Sequence, residues 1–87
     1  MAFLNGQVSV VKFIRAFCDL DLVKCKAISE LWERTFNNDY VTSNISEIYK
    51  LGSICKMITS GDWIIEHDQI IMTKQLATTE DVLKLTP

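Results

Sequence analysis

The chain has 87 residues, of which 48% are apolar and 23% are charged, and its formal net charge is −2. It is too short for two domains and too apolar for disorder, so residues 1–87 are expected to form one small domain. A core of this size leaves little room for a deep substrate cavity, which argues against most classes of enzyme.

Two amphipathic helices are predicted in the first half of the chain. From Gln7 to Cys18, apolar residues recur at helical spacing and predict a first helix with Val10, Phe13, Ile14 and Phe17 on its buried face. Asp19 or Asp21 is a suitable cap for a second helix. The buried face of the second helix is expected to carry Cys25, Ile28, Leu31, Trp32 and Phe36.

A third helix is predicted to begin near Ile45. Thr42-Ser43-Asn44 supplies capping oxygens, and Asn44 and Glu47 have the spacing of a capping box. The helix is expected to end at Ser60-Gly61, because glycine tolerates the left-handed conformation that follows many helices. Its predicted buried face consists of Ile48, Leu51, Ile54, Cys55 and Ile58, and its predicted exposed face of Ser46, Glu47, Lys50, Ser53 and Lys56.

Residues 63–73 are rich in β-branched and aromatic side chains around the dipeptide His67-Asp68, which predicts a β-hairpin that turns there. A two-residue loop would pair Glu66 with Gln69, Ile65 with Ile70, Ile64 with Ile71, and Trp63 with Met72. After the hairpin, Thr79-Glu80-Asp81 can cap a short last segment, which either packs as a helical turn or frays. The predicted class is α+β, mostly α, with a three-helix core followed by a C-terminal β-hairpin.

The hairpin has one entirely apolar face, and its second face admits two interpretations. Either the C-terminal segment or residues near Val8 cover that face as part of an ordinary core, or Ile64 and Ile71 form a surface for a partner. In the second case Glu66 and Gln69 lie at the polar tip beside them. Trp32 and Trp63 are expected to anchor the core in both cases.

The cysteines Cys18, Cys25 and Cys55 are odd in number and lie in apolar periodic stretches, which favours reduced and mostly buried thiols. A zinc site would need paired cysteine spacings, and a thiol nucleophile with His67 as its base would need an orienting group. The sequence offers neither, so we expect no enzyme activity, no cofactor and no small-molecule substrate.

The apolar runs are far shorter than the roughly 20 residues of a membrane-spanning helix. Met1 to Asn5 lacks the basic start and the long apolar stretch of a secretory signal. We therefore expect a cytoplasmic protein with no membrane partner.

Three helices followed by an Ile-rich hairpin resemble the winged helix-turn-helix family. The resemblance covers residues 7–74 at the level of pattern and rests on Leu51, the Ser60-Gly61 stop, and Trp63-Ile64-Ile65-Glu66 leading into Ile70-Ile71-Met72-Thr73. It implies a winged-helix-like domain in which residues 45–59 are the recognition helix. The groove-facing positions would then be Ser46, Glu47, Lys50 and Ser53, with Lys56 on the same exposed face and His67, Asp68 and Gln69 at the wing tip.

The charges of the third helix and the hairpin favour protein binding over DNA binding. Residues 44–74 hold three lysines against four acidic residues, and the hairpin tip has no arginine to contact phosphate. We therefore expect a small regulatory protein that binds another protein or a second copy of itself. Such a module could be an inhibitor or adaptor, including one made by a virus or phage. The alternative is a DNA-binding transcriptional regulator that contacts duplex DNA.

Overall fold

The computed structural model describes residues 8–42 and 44–85. The elements in chain order are β1 (Val8–Ser9), α1 (Val10–Phe17), α2 (Leu22–Phe36), β2 (Tyr40–Val41), α3 (Ile45–Ser60), β3 (Trp63–Glu66), β4 (Gln69–Met72), β5 (Gln75–Leu76) and α4 (Thr79–Leu83). The predicted class is confirmed, because most of the regular structure is helical and three helices precede a C-terminal antiparallel hairpin.

Within the described ranges, no helix has both the length and the apolar character needed to cross a membrane.

The ends of α2 and α3 follow from local capping. Of the two caps predicted for α2, Asp21 is the one used, and its carboxylate accepts a hydrogen bond from the Lys24 backbone N–H at 2.9 Å. Asn44 caps α3 and Gly61 ends it in the left-handed conformation, with φ 91°, as predicted. The full capping box does not form, because the Asn44 backbone N–H donates to the Thr42 hydroxyl at 3.2 Å.

Helix α1 begins later than predicted. The predicted start at Gln7 lies outside the described residues, as do Met1 to Asn5 and Ser43. Val8 pairs with Val41 and Ser9 with Tyr40 in a two-stranded antiparallel sheet, and the Ser9 side chain then caps α1. Two-residue strands carry no alternation that a sequence pattern could reveal, so this sheet was not predicted.

The core lies between the helices and one face of the C-terminal strands. Trp32 is fully buried, and its indole N–H donates to the Tyr40 carbonyl at 3.1 Å. Trp63 is also buried, so both tryptophans anchor the core as predicted. Phe17 was predicted to be buried but is 52% exposed, and its ring lies against that of Phe13 with centroids 4.7 Å apart. Other fully buried side chains include Val10, Ile14, Ile28, Leu51 and Ile54.

The last segment packs as a helix rather than fraying. Thr78 and Asp81 form a reciprocal capping box, in which the Asp81 carboxylate accepts from the Thr78 backbone N–H at 2.7 Å. Helix α4 packs against α2 and α3, and Val82 is fully buried there. The short helix therefore completes the core on the flank of α3.

Candidate protein-binding surface

The C-terminal sheet is built around a tight turn at His67-Asp68. Both residues have positive φ values, 53° and 60°, as the inner positions of a type I′ hairpin turn require. All four predicted residue pairs of β3 and β4 are confirmed by the observed register. A third strand, β5, was not predicted, and it pairs Leu76 with Ile71 and Gln75 with Met72.

The inner face of this sheet belongs to the core. Trp63 and Ile70 are buried, and Ile65 and Met72 are partly buried against the same core. Beyond β5, the Ala77 backbone N–H donates to the Ile70 carbonyl at 2.8 Å and brings the buried Ala77 side chain back to the core. The strands therefore have a fixed inner side and a fixed outer side.

The outer side carries an apolar row that crosses all three strands. Directly paired residues point to the same side of a sheet, so Ile64, Ile71 and Leu76 are neighbours. Ile64 is 47% exposed, Leu76 is 51% exposed, and Ile71 between them is half-buried. We call these three residues the outer row. Ile64 and Ile71 were candidates from the sequence, whereas Leu76 was missed because β5 was missed.

The tip of the hairpin is polar and acidic. Glu66 and Gln69 pair on the same side as the outer row, and both are exposed. The His67 imidazole lies 4.0 Å from the Glu66 carboxylate, and both side chains are mostly exposed to solvent. Solvent screening makes such a contact worth little for stability, which leaves both groups available to a partner.

An open groove of about 560 Å³ lies between the hairpin tip and the C-terminal half of α2. Its lining holds three carboxylates against one guanidinium, from Glu30, Glu33, Asp68 and Arg34, together with Asn37 and Gln69. We call it the acidic groove. Gln69 lines this groove and also lies on the outer side of β4, two residues before Ile71, so it links the acidic groove to the strand that carries the middle of the outer row.

The face of α3 that was predicted to be exposed is mostly half-buried in the structure. Lys56 is exposed, but Ser46, Glu47, Lys50 and Ser53 are half-buried. The Lys50 ammonium group donates to the Leu85 carbonyl at 2.8 Å and to the Ser46 hydroxyl at 3.2 Å. The Glu47 carboxylate accepts hydrogen bonds from the backbone N–H and the hydroxyl of Thr42. Contacts from the C-terminal segment and from the segment before α3 therefore occupy much of the face that the resemblance assigned to DNA.

Two of the exposed positions in the first half of α3 are occupied by large apolar or aromatic residues. Ile45 is 77% exposed and Tyr49 is 45% exposed, one helical turn apart on the same face. Lys56 is the exposed lysine of α3, and His67 lies at the hairpin turn. The DNA-binding candidates thus do not form one exposed basic face.

The thiols largely match the expectation from the sequence. Cys25 and Cys55 are buried and Cys18 is half-buried, and all three are free of disulfides. Burial raises the pKa of Cys25 and of Cys55, which keeps both thiols protonated. No group of three or more His, Cys, Asp or Glu side chains within residues 8–42 and 44–85 could hold a metal ion.

Comparison of the chain with models of known protein families, with functionally described proteins and with solved structures finds no match.

Proposed function

We propose that this chain is a non-catalytic regulatory protein that binds another protein through the outer row and the acidic groove. The observation that carries the proposal is an exposed apolar row over three strands, with Gln69 of the central strand lining an acidic groove at the hairpin tip. Its role would be that of a stoichiometric inhibitor or adaptor. The free thiols fit a reducing compartment, so we assign its action to the cytosol.

The outer row supplies the apolar part of the interface. Ile64 and Leu76 each expose about half of their side chains. Covering them would contribute about 1 kcal/mol each, roughly half the value for a fully exposed aliphatic side chain. The inner face of β3, which carries Ile64, is fixed in the core by Trp63, and the buried Ala77 follows Leu76 directly, so little conformational freedom is lost on binding.

The negative charge of the surface favours one kind of partner. The acidic groove and Glu66 favour a protein segment that carries lysine or arginine next to apolar residues. A second copy bound through the same surface would add its own Glu66 and Asp68 to an interface that already holds these acids, which opposes a two-fold dimer. The same carboxylates would repel the phosphates of duplex DNA. A basic protein segment is therefore the occupant that we propose.

A displayed library of random peptides, selected against the immobilised protein, tests this proposal. We expect enriched peptides to combine apolar residues with lysine or arginine. Their affinity should fall at least about tenfold for Ile64→Asp and for Leu76→Asp, because a carboxylate then replaces an apolar contact. The Glu33→Lys variant should weaken the same peptides by reversing charge in the groove, and added salt should weaken them in the unmodified protein.

Val23→Asp is the matched control variant. Val23 is also an exposed aliphatic residue, but it lies in the first turn of α2, at the opposite end from the groove residues. Peptide binding should be unchanged in this variant. Equal losses in Val23→Asp and Ile64→Asp, or enriched peptides without basic residues, would overturn the proposal.

Separate measurements test duplex DNA and a second copy of the chain as alternative binding partners. A labelled mixed-sequence duplex should show no saturable binding at about 50 mM salt, where phosphate contacts are strong. Saturable binding that is lost in Lys56→Ala would replace the proposal with the DNA-binding alternative. Light scattering should give a monomer mass at all concentrations, and a dimer that dissociates in Ile64→Asp would assign the outer row to a second copy instead.

A further inference from the structure

Strand β3 forms one edge of the C-terminal sheet. The strand order is β3-β4-β5, so β3 is paired on one side only, and no other strand in the described ranges lies on its second side. The opposite edge strand, β5, has two residues, whereas β3 has four residues in unbroken register with β4. Strand β3 is therefore the longer of the two edges of this sheet.

The hydrogen-bond pattern shows which backbone groups of β3 face the unpaired side. The Ile70 carbonyl accepts a hydrogen bond from the Ala77 N–H at 2.8 Å, so the backbone groups of Ile70 point toward β5. In an antiparallel ladder, pairs that exchange hydrogen bonds alternate with pairs that do not, and Ile65 and Ile70 form a pair that does not. The N–H and C=O of Ile65 therefore point away from β4. Among the described residues, neither group is hydrogen-bonded to a helix, turn or loop.

The β3 edge lacks common features that prevent strands from pairing with other chains. Natural edge strands often carry proline, lysine or a β-bulge. The sequence of β3 is Trp-Ile-Ile-Glu, and its pairing with β4 contains no bulge. On its outer side, Ile64 is 47% exposed and Glu66 is also exposed. An incoming strand would therefore find one apolar and one acidic side chain beside the unpaired backbone groups of Ile65.

We propose that the protein partner binds as an additional antiparallel strand on β3, with backbone hydrogen bonds to the N–H and C=O of Ile65. This inference rests on the proposed protein-binding function and specifies how the partner binds. All strand pairs in the described residues are antiparallel, and an added strand would extend the same ladder. Trp63 at the other end of β3 is buried, so the pairing centres on Ile65.

The side chains of β3 define the sequence of the added strand. The residues on either side of the one that pairs with Ile65 lie opposite Glu66 and Ile64. A lysine or arginine opposite Glu66 and an apolar residue opposite Ile64 complement these side chains. Because the strands run in opposite directions, the basic residue precedes the apolar residue by two positions in the partner. A parallel strand would require the reverse order.

A second copy of the chain fits this edge poorly. Two β3 strands paired about Ile65 would place each Ile64 side chain opposite a Glu66 carboxylate. Each carboxylate would then lose water without gaining a positive partner. The occupant of this edge is therefore a different segment, one that carries a basic residue.

Amide hydrogen exchange of the free protein tests the edge without any partner. The Ile65 amide should exchange at least about tenfold faster than the Ile64 amide, which is bonded to Ile71 across the hairpin. Binding of a peptide enriched from the random library should then protect the Ile65 amide. An Ile65 amide that is already protected in the free protein would overturn the proposal.

Backbone methylation of the enriched peptide separates strand pairing from docking by side chains alone. An N-methyl group on the residue between the basic and the apolar positions should weaken binding at least about tenfold, because it removes the N–H that donates to the Ile65 carbonyl. The matched control is an N-methyl group on the next residue, whose N–H points away from β3, and binding should change less than about twofold. Equal losses at both positions would overturn strand pairing but leave the outer row as a binding surface. A selection that enriches no peptide would instead overturn the proposed function, and this inference with it.

Reversal of one charge identifies the register. Glu66→Lys should weaken the enriched peptide by about fivefold, and replacing its basic residue with glutamate should restore binding to this variant alone. Glu66 is exposed, so the substitution leaves the core intact. Rescue by glutamate two positions after the apolar residue, rather than two positions before it, would overturn the antiparallel arrangement.

Discussion

The ammonium group of Lys50 in the middle of α3 donates a hydrogen bond to the backbone carbonyl of Leu85, just beyond α4, at 2.8 Å. This contact joins residues that are far apart in sequence and holds the C-terminal segment on the flank of α3. It gives a structural contact to Lys50, a position that the winged-helix resemblance assigned to DNA.

Replacement of Lys50 by methionine should destabilise the protein by about 1 kcal/mol, because methionine keeps the packing of the stem but removes the charged donor. Urea unfolding measures the change. Lys56→Met is the control, since Lys56 is exposed and its loss should change the free energy of unfolding by less than about 0.5 kcal/mol. Equal effects of the two substitutions would show that the Lys50 contact contributes nothing.

The two faces of the C-terminal sheet should respond differently to truncation. Ile70→Ala on the inner face should cost about 3 kcal/mol, because Ile70 is only 4% exposed and its removal leaves a cavity. Ile64→Ala on the outer face should cost less than about 1 kcal/mol. Thermal unfolding of both variants checks the difference. A large loss for Ile64→Ala would mean that the outer row belongs to the core and is not a binding surface.

Two glycines should give opposite effects when changed to alanine. Gly52 lies inside α3 with no atom within 4 Å of an added Cβ, so Gly52→Ala should stabilise the protein by about 0.5–1 kcal/mol. Gly61 has the same open surroundings but a φ of 91°, so Gly61→Ala should destabilise it by about 1 kcal/mol. Denaturant midpoints measured in parallel would contradict this account if both changes had the same sign.

Stability should fall at alkaline pH because of the buried thiol of Cys55. Burial raises its pKa in the folded protein, so above about pH 9 the unfolded chain releases this proton while the folded protein retains it. The free energy of unfolding should therefore decrease by about 1 kcal/mol between about pH 8 and about pH 10 for this group. Cys55→Ala should lower stability overall but reduce the slope, and an unchanged slope would exclude Cys55 as its source.

Most of the hairpin could be predicted from the sequence. Once two residues are assigned to the turn, strand alternation fixes every pair and both faces, and His67 and Asp68 adopt the conformations that this turn requires. The start and end of α3 were also predicted, because Asn44 and Gly61 act locally on the backbone.

The features that could not be predicted from the sequence depend on contacts between distant segments. Lys50 lies on the polar side of the α3 pattern, and only the docked C-terminal segment explains why it is half-buried. Leu76 belongs to the candidate surface because it pairs with Ile71. It could not be predicted, because its two-residue strand is too short to show alternation. Val8 pairs with Val41 across two helices, and no local signal marks that pairing.

Helix α4 has five residues, which is too short to persist as an isolated helix in water. It exists as a helix because Val82 fills the core and Lys50 holds the following carbonyl. The Val82 and Lys84 backbone amides donate to Thr78 and Glu80, so these protons are protected only while the segment is docked. Their rates of native-state hydrogen exchange therefore report how often the flank of α3 opens to solvent while the rest of the domain stays folded.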